Sequence, residues 1–152
     1  MLPISRADAV LDIGCGKGGA MITLAQFAFE RVDGLEISPK LAHIARLNIR
    51  RLDIPNAAVF CADAADFTDI DPYTYIYMYN PFPEIVMRRV LDNILLSLKR
   101  RQRLLTMIYK NPVFDSLVLC SGFHKIHETQ QIHPDYPPFS VYVANGVSSS
   151  AS

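Results

Sequence analysis

The sequence carries no surplus of charge: fifteen lysines and arginines offset fifteen aspartates and glutamates. That balance excludes a global attraction for nucleic acid or for an anionic membrane surface, so such a contact would need a local patch. Cysteine is scarce. Cys15, Cys61 and Cys120 are odd in number and widely spaced, and no Cys-x-x-Cys pair occurs. This excludes a disulfide framework and a cysteine zinc site, and reads as the reduced thiols of a cytoplasmic protein. No apolar run reaches the roughly 18 residues of a membrane span. Met1 to Asp8 lacks the apolar core of a signal peptide. His124 and His127 are three positions apart and point to opposite faces of a strand, so they are not read as metal ligands. There is no internal repeat and no interior linker.

What is present is ample apolar material, 50% of residues, with 20% charged. That suffices for one core, and the reading is a single domain over residues 1–145 with a small, polar tail at 146–152. Short apolar runs alternate with amphipathic stretches, which predicts a βαβ protein. The predicted strands are 9–13, 31–37, 57–61, 73–79, 104–109, 123–132 and 140–144. The predicted helices are 18–29, one that starts at Ser38-Pro39 and stops before Pro55, 84–99, and 113–120. Ser38 is a good N-cap and Pro39 a good first helical residue. In the long helix, Ile85, Val86, Val90, Leu91, Ile94, Leu95 and Leu98 form the predicted apolar stripe. The last two strands are joined too briefly for a parallel crossover and must be antiparallel. Tyr73, Tyr75, Tyr77 and Tyr79 fall on one face of the fourth strand by its period of two. Lys99, Arg100, Arg101 and Arg103 end a helix and read as a solvated cap favoured by the helix dipole.

The glycines Gly14, Gly16, Gly18 and Gly19 follow the first strand directly and open a helix. Glycine suits a sharp turn whose backbone must approach a ligand. The spacing fits a dinucleotide as well as other ribose-bearing ligands. Asp12, just before the glycines, separates the two. It would repel a pyrophosphate and attract an ammonium group. Glu36, at the end of the second strand, is placed to accept from ribose hydroxyls and does not discriminate.

Asp12-x-Gly14-x-Gly16-x-Gly18 resembles the first motif of class I S-adenosylmethionine-dependent methyltransferases. Leu35-Glu36-Ile37-Ser38 resembles their second motif, Cys61-Ala62-Asp63-Ala64 their third, and Tyr79-Asn80-Pro81-Phe82 their fourth. The last is similar to the version in small bacterial members. The resemblance implies a three-layer α/β, Rossmann-like sandwich around a mostly parallel seven-stranded sheet with the last strand antiparallel. It implies S-adenosylmethionine as cofactor and S-adenosylhomocysteine as product, with a methyl acceptor reacting through nitrogen or oxygen. It also implies that Gly14, Cys15 and Gly16 line the cofactor with backbone and that Asp12 lies near its ammonium. Glu36 would hold the ribose and Ile37 would pack on the adenine. Asp63 would accept from the adenine amino group, with the Ala64 N–H facing a ring nitrogen. Asn80 would join the cofactor site and, with Tyr79, act at the methyl. The order Phe82-Pro83 departs from the Asn-Pro-Pro-aromatic order of nitrogen-methylating relatives.

Phe82, His133 and Tyr136 are the candidate substrate contacts, the last two on the loop 133–139 that the topology brings to the cofactor side. Two rival readings differ in class. A nicotinamide-dependent oxidoreductase conflicts with Asp12 and lacks a Tyr-x-x-x-Lys apparatus. A non-catalytic cofactor-binding module or partner subunit fits the short segment before the first strand, where related enzymes carry a covering helix. The same brevity leaves room for a homo-oligomer that covers an open pocket. No metal is implied.

Overall fold

Every residue of Ala9–Ile13 is buried, and this strand, β1, is the centre about which the molecule is built. The computed structural model describes residues 3–79, 82–131 and 133–146. Along the chain follow α1 (Gly19–Leu24), β2 (Arg31–Glu36), α2 (Pro39–Arg51), β3 (Ala57–Cys61) and β4 (Tyr75–Tyr79). Then come α3 (Glu84–Arg100), β5 (Leu104–Lys110), α4 (Asp115–Cys120), β6 (His124–Glu128) and β7 (Phe139–Asn145). The strands form one seven-stranded sheet in the order β3-β2-β1-β4-β5-β7-β6. All neighbours are parallel except β7, which runs antiparallel to both β5 and β6. The order reverses between β1 and β4, and open α/β sheets bind ligands at the carboxyl ends beside such a reversal.

Alternation along the strands divides the core in two. Leu11, Ile13, Ile76, Met78, Met107 and Tyr109 pack with Met87, Val90, Leu91, Ile94 and Leu98 of α3. On the opposite face Val10, Val32, Val59 and Tyr75 pack with Met21 and Leu24 of α1 and with Ala42, Ala45 and Ile49 of α2. The buried stripe of α3 runs through Met87 rather than Ile85, which is 72% exposed; a 3.6-residue period cannot place both on one face. On the α1–α2 side of the sheet, the β4-β5-β7-β6 half holds a hollow of about 600 Å³ lined by Ile4, Tyr75, Ile108, Ile126 and Val141, among others.

Several boundaries differ from the sequence expectation. The first helix stops at Leu24, not Phe29. Its end tightens into Gln26 N–H to Thr23 O and Phe27 N–H to Leu24 O bonds, the shorter pattern of a 3₁₀ turn. That bend leaves Phe27 at the surface and buries Phe29, and the next N–H, Glu30, reaches Asp8 O at 2.9 Å. β4 begins at Tyr75, so Tyr73 does not share a face with Tyr75, Tyr77 and Tyr79. Its ring joins the α3 core, because its hydroxyl donates to the buried Asp33 Oδ2 at 2.7 Å. β6 ends at Glu128, and the predicted extension to Ile132 passes into irregular backbone and then outside the described residues.

The basic run that ends α3 is more than a solvated cap. Arg103 donates to Tyr73 O, Ile70 O and Ser97 Oγ at 2.6–3.0 Å. Arg100 grips Asp71, and Arg101 donates to Asp71 O. Hydrogen bonds from Arg100 and Ser97 pull the Asp71 carboxyl down to about 2. The run therefore fastens the loop before β4 at the amino ends of the strands.

Candidate functional site

Gly14, Gly16 and Gly18 all have positive φ, at 79°, 55° and 86°, the region that side chains disfavour. These angles fold the chain back over the end of β2. Gly14 N–H and Cys15 N–H both donate to Leu35 O, at 2.8 and 3.0 Å. Gly16 N–H donates to Glu36 Oε2 and Ser38 N–H to Glu36 Oε1, each at 2.9 Å. One carboxylate thus joins the glycine turn to the start of α2, whose N-cap Ser38 accepts from Leu41 N–H. A Cβ on Gly16 would meet nothing within 4 Å, so the space over that backbone is open.

Asp12 lies beneath the turn and is 2% exposed. Its Oδ2 has no hydrogen-bond partner among the described residues. Burial, reinforced by the Glu36 charge, pushes its carboxyl up to about 7. The two carboxylates share the α1–α2 face of neighbouring strands, and Tyr77 is the register partner of Asp12 on β4. Burial and the Asp12 charge raise the Tyr77 hydroxyl as well.

A hollow of about 360 Å³ opens beside the turn. Gly14, Glu36, Ile37, Asp63 and Ala64 line it on the β2–β3 side, and Tyr79 and Phe82 on the β4 side. Ile37 is an apolar residue left 65% exposed there. Asp63 makes a turn after β3: its Oδ1 accepts from Ala65 N–H at 2.8 Å and its carbonyl from Asp66 N–H. Larger hollows lie on the open sheet face, at the strands' amino ends and beside α4, at about 600, 510 and 450 Å³. None of these is lined by the glycine turn or by Glu36, whereas Gly14 and Glu36 line the smaller one, which is the candidate site; Asp12 and Gly16 are not on its wall.

The structure brings seven of the expected residues to this hollow and sets others back from it. Cys15 is turned into the core, and burial with the nearby Asp12 and Glu36 charges pushes its thiol up to about 12. Asn80, expected at the methyl position, lies outside the described residues. His133 and Tyr136 do not line the hollow; both are exposed and their rings face each other at 5.7 Å. Their loop is on the carboxyl side, because β6 and β5 are both antiparallel to β7 and so run the same way. Among the described residues no His, Cys, Asp and Glu group could hold a metal ion.

Two contributors escaped the sequence. A Cβ on Gly34, in the middle of β2, would collide with Met21 Sδ and come within 2.6 Å of Cys15 Sγ. Gly34 therefore lets the glycine turn seat against the sheet; a glycine inside a buried strand is the signal that marks it. Lys110, the last residue of β5, pairs in register with Tyr79. Its Nζ sits 4.9 Å from the centre of the Tyr79 ring.

Residues 10–101 match the family described as "Methyltransferase domain". A probable cobalt-precorrin-6B C(15)-methyltransferase (decarboxylating) of Methanococcus maripaludis strain C6 is 34% identical over 65 residues, which is 43% of this chain and 35% of the relative. The chain thus spans about a third of the length of that curated relative. A solved structure of a MtNAS mutant in complex with S-adenosylmethionine superposes with a TM-score of 0.71 at 21% identity, covering 93% of this chain and 56% of that one. Precorrin-6y C5,15-methyltransferase from Geobacter metallireducens gives 0.68 at 16% identity, covering 94% and 82%. At such identities the solved structures establish the shared fold.

Proposed function

The chain belongs to the methyltransferase domain family, and from that premise we propose that it transfers a methyl group from S-adenosylmethionine to an oxygen or nitrogen acceptor, leaving S-adenosylhomocysteine. The observation that carries the proposal is Asp12: a buried carboxylate with one oxygen unpartnered, beneath a glycine turn and beside Glu36. Once ionised, such a group is stabilised by a cation, and the methionine ammonium is one. A pyrophosphate there would be repelled, which sets aside a nicotinamide cofactor.

The other residues fit the same ligand. Glu36 holds Gly16 and Ser38 N–H groups and keeps further lone pairs for ribose hydroxyls. Exposed Ile37 offers an apolar wall to the adenine, and Asp63 and Ala64 line the same hollow for its polar edge. The N–H groups of Gly14, Cys15 and Gly16 are already engaged, so these residues serve by close approach rather than by donating. When bound, S-adenosylmethionine supplies a methyl group on a cationic sulfur, so the reaction needs an aligned nucleophile more than acid–base help. Tyr79 and Phe82 line the β4 side of the hollow and, with Asn80, would orient the acceptor. His133 and Tyr136 are assigned to the outer approach.

The free thiols Cys15, Cys61 and Cys120 fit a reducing, cytoplasmic setting. A second copy of the chain covering the open pocket belongs to the same proposal, supported by Ile37 and Tyr79 standing exposed at its walls. Isothermal titration tests the central claim. Both S-adenosylmethionine and S-adenosylhomocysteine should bind in the micromolar range, and NAD should not; no heat with either sulfur ligand would sink it.

A further inference from the structure

Tyr79 and Lys110 end two adjacent parallel strands and are direct register partners. Both side chains leave the sheet on the face opposite α3, since Met78 and Tyr109 next to them enter the α3 core. Tyr79 lines the candidate site and is 52% exposed. The ammonium over its ring is attracted by the ring quadrupole, and that contact leaves N–H directions free for another partner. The position is braced from behind: Asn111 takes a positive φ of 52° and its N–H donates to Pro138 O at 2.7 Å. Phe139 stands opposite Lys110 on β7.

The Lys110 ammonium also forms no ion pair within the described residues; it sits over the Tyr79 ring. A cationic acceptor would meet both this ammonium and the sulfonium of the cofactor, whereas an anionic one would be drawn to both.

We propose that Lys110 selects the methyl acceptor by charge, holding a carboxylate or phosphate of the acceptor beside Tyr79. This inference rests on the methyl-transfer reading above. Lys110 lies outside the cofactor contacts, so the two can fail separately.

The test is an amide-resolved NMR titration with benzoate, phenyl phosphate and neutral benzyl alcohol, run with and without S-adenosylhomocysteine. Wild type should bind one or both anions about tenfold more tightly than the alcohol, the scale of one charge-assisted hydrogen bond. The stronger of the two anions distinguishes a carboxylate acceptor from a phosphate one. Lys110→Met should lose the preference, Lys110→Arg should keep it, and Lys99→Met, at the far end of α3, should not affect it. S-adenosylhomocysteine should bind Lys110→Met as it binds wild type, which also shows that the variant is folded. Equal binding of anions and alcohol to wild type, or an undiminished preference in Lys110→Met, overturns the proposal. Failure of S-adenosylhomocysteine to bind wild type overturns the methyl-transfer reading itself, and with it the acceptor role of Lys110.

Discussion

Asp12 and Glu36 are neighbours with opposite circumstances. Glu36 accepts two backbone N–H groups, while Asp12 keeps an unpartnered oxygen in the interior. Its carboxyl, held up at about 7, keeps a proton in the folded chain that the unfolded chain releases near its ordinary value of 3.8. The sign follows from proton counting: between those values the folded state binds more protons, so stability falls as pH rises from about 4 to about 7, by up to about 1.4 kcal/mol per unit. A cationic ligand reverses the preference, because it favours the ionised form. Cofactor affinity should therefore rise up to about tenfold per unit below pH 7 and level off above it. Calorimetry across pH 5–8 measures this, and Asp12→Asn should bind weakly with no slope. An unchanged slope in that variant would contradict the role given to Asp12. At Gly34, a single added methyl meets Met21 and Cys15. Gly34→Ala should cost about 1–3 kcal/mol in urea unfolding through overpacking.

Elements with strong local punctuation were legible in the sequence. β1 and β3 are apolar runs bounded by turns, and their limits fall where the residues say. Ser38-Pro39 starts α2 because the N-cap bond is made within four residues. The end of α1 was not legible, because it is decided by burial of Phe29 and by the reach of Glu30 to Asp8 across the chain. Tyr73 was misplaced for the same reason: its partner, Asp33, is forty positions away. The arginine run reads as surface charge until the loop at 68–73 folds under it. Arg103 donates to the Tyr73 and Ile70 carbonyls and to Ser97 Oγ at once, so Arg103→Ala should lose about 1–3 kcal/mol. Cofactor affinity should stay unchanged, since the clamp lies at the strands' amino ends. A folded variant with weakened binding would show that the two ends are coupled.

At the scale of the whole molecule the candidate cofactor contacts come from β1, β2, β3 and the turns that follow them. The glycines, Asp12 and Glu36 were legible from order and spacing, whereas Ile37, Asp63 and Ala64 followed from the resemblance of their motifs to the methyltransferase pattern. Lys110 was legible from neither, because its place beside Tyr79 depends on the β4–β5 register, which no local pattern records. A ligand gripping several strand ends at once stabilises the sheet as a unit. S-adenosylhomocysteine at a hundred times its dissociation constant should raise unfolding stability by about 2.7 kcal/mol. Thermal unfolding reads this as a rise in midpoint, and a midpoint that stays fixed would argue against binding to the folded state.

The double grip of Glu36 has a consequence for how this site can be watched. Two amides from separate loops, Gly16 and Ser38, depend on the two oxygens of one side chain. Anything that draws that side chain aside loosens both together. Their deuterium uptake should then change in step, giving the protein a paired internal gauge of occupancy that needs no label and no knowledge of the acceptor.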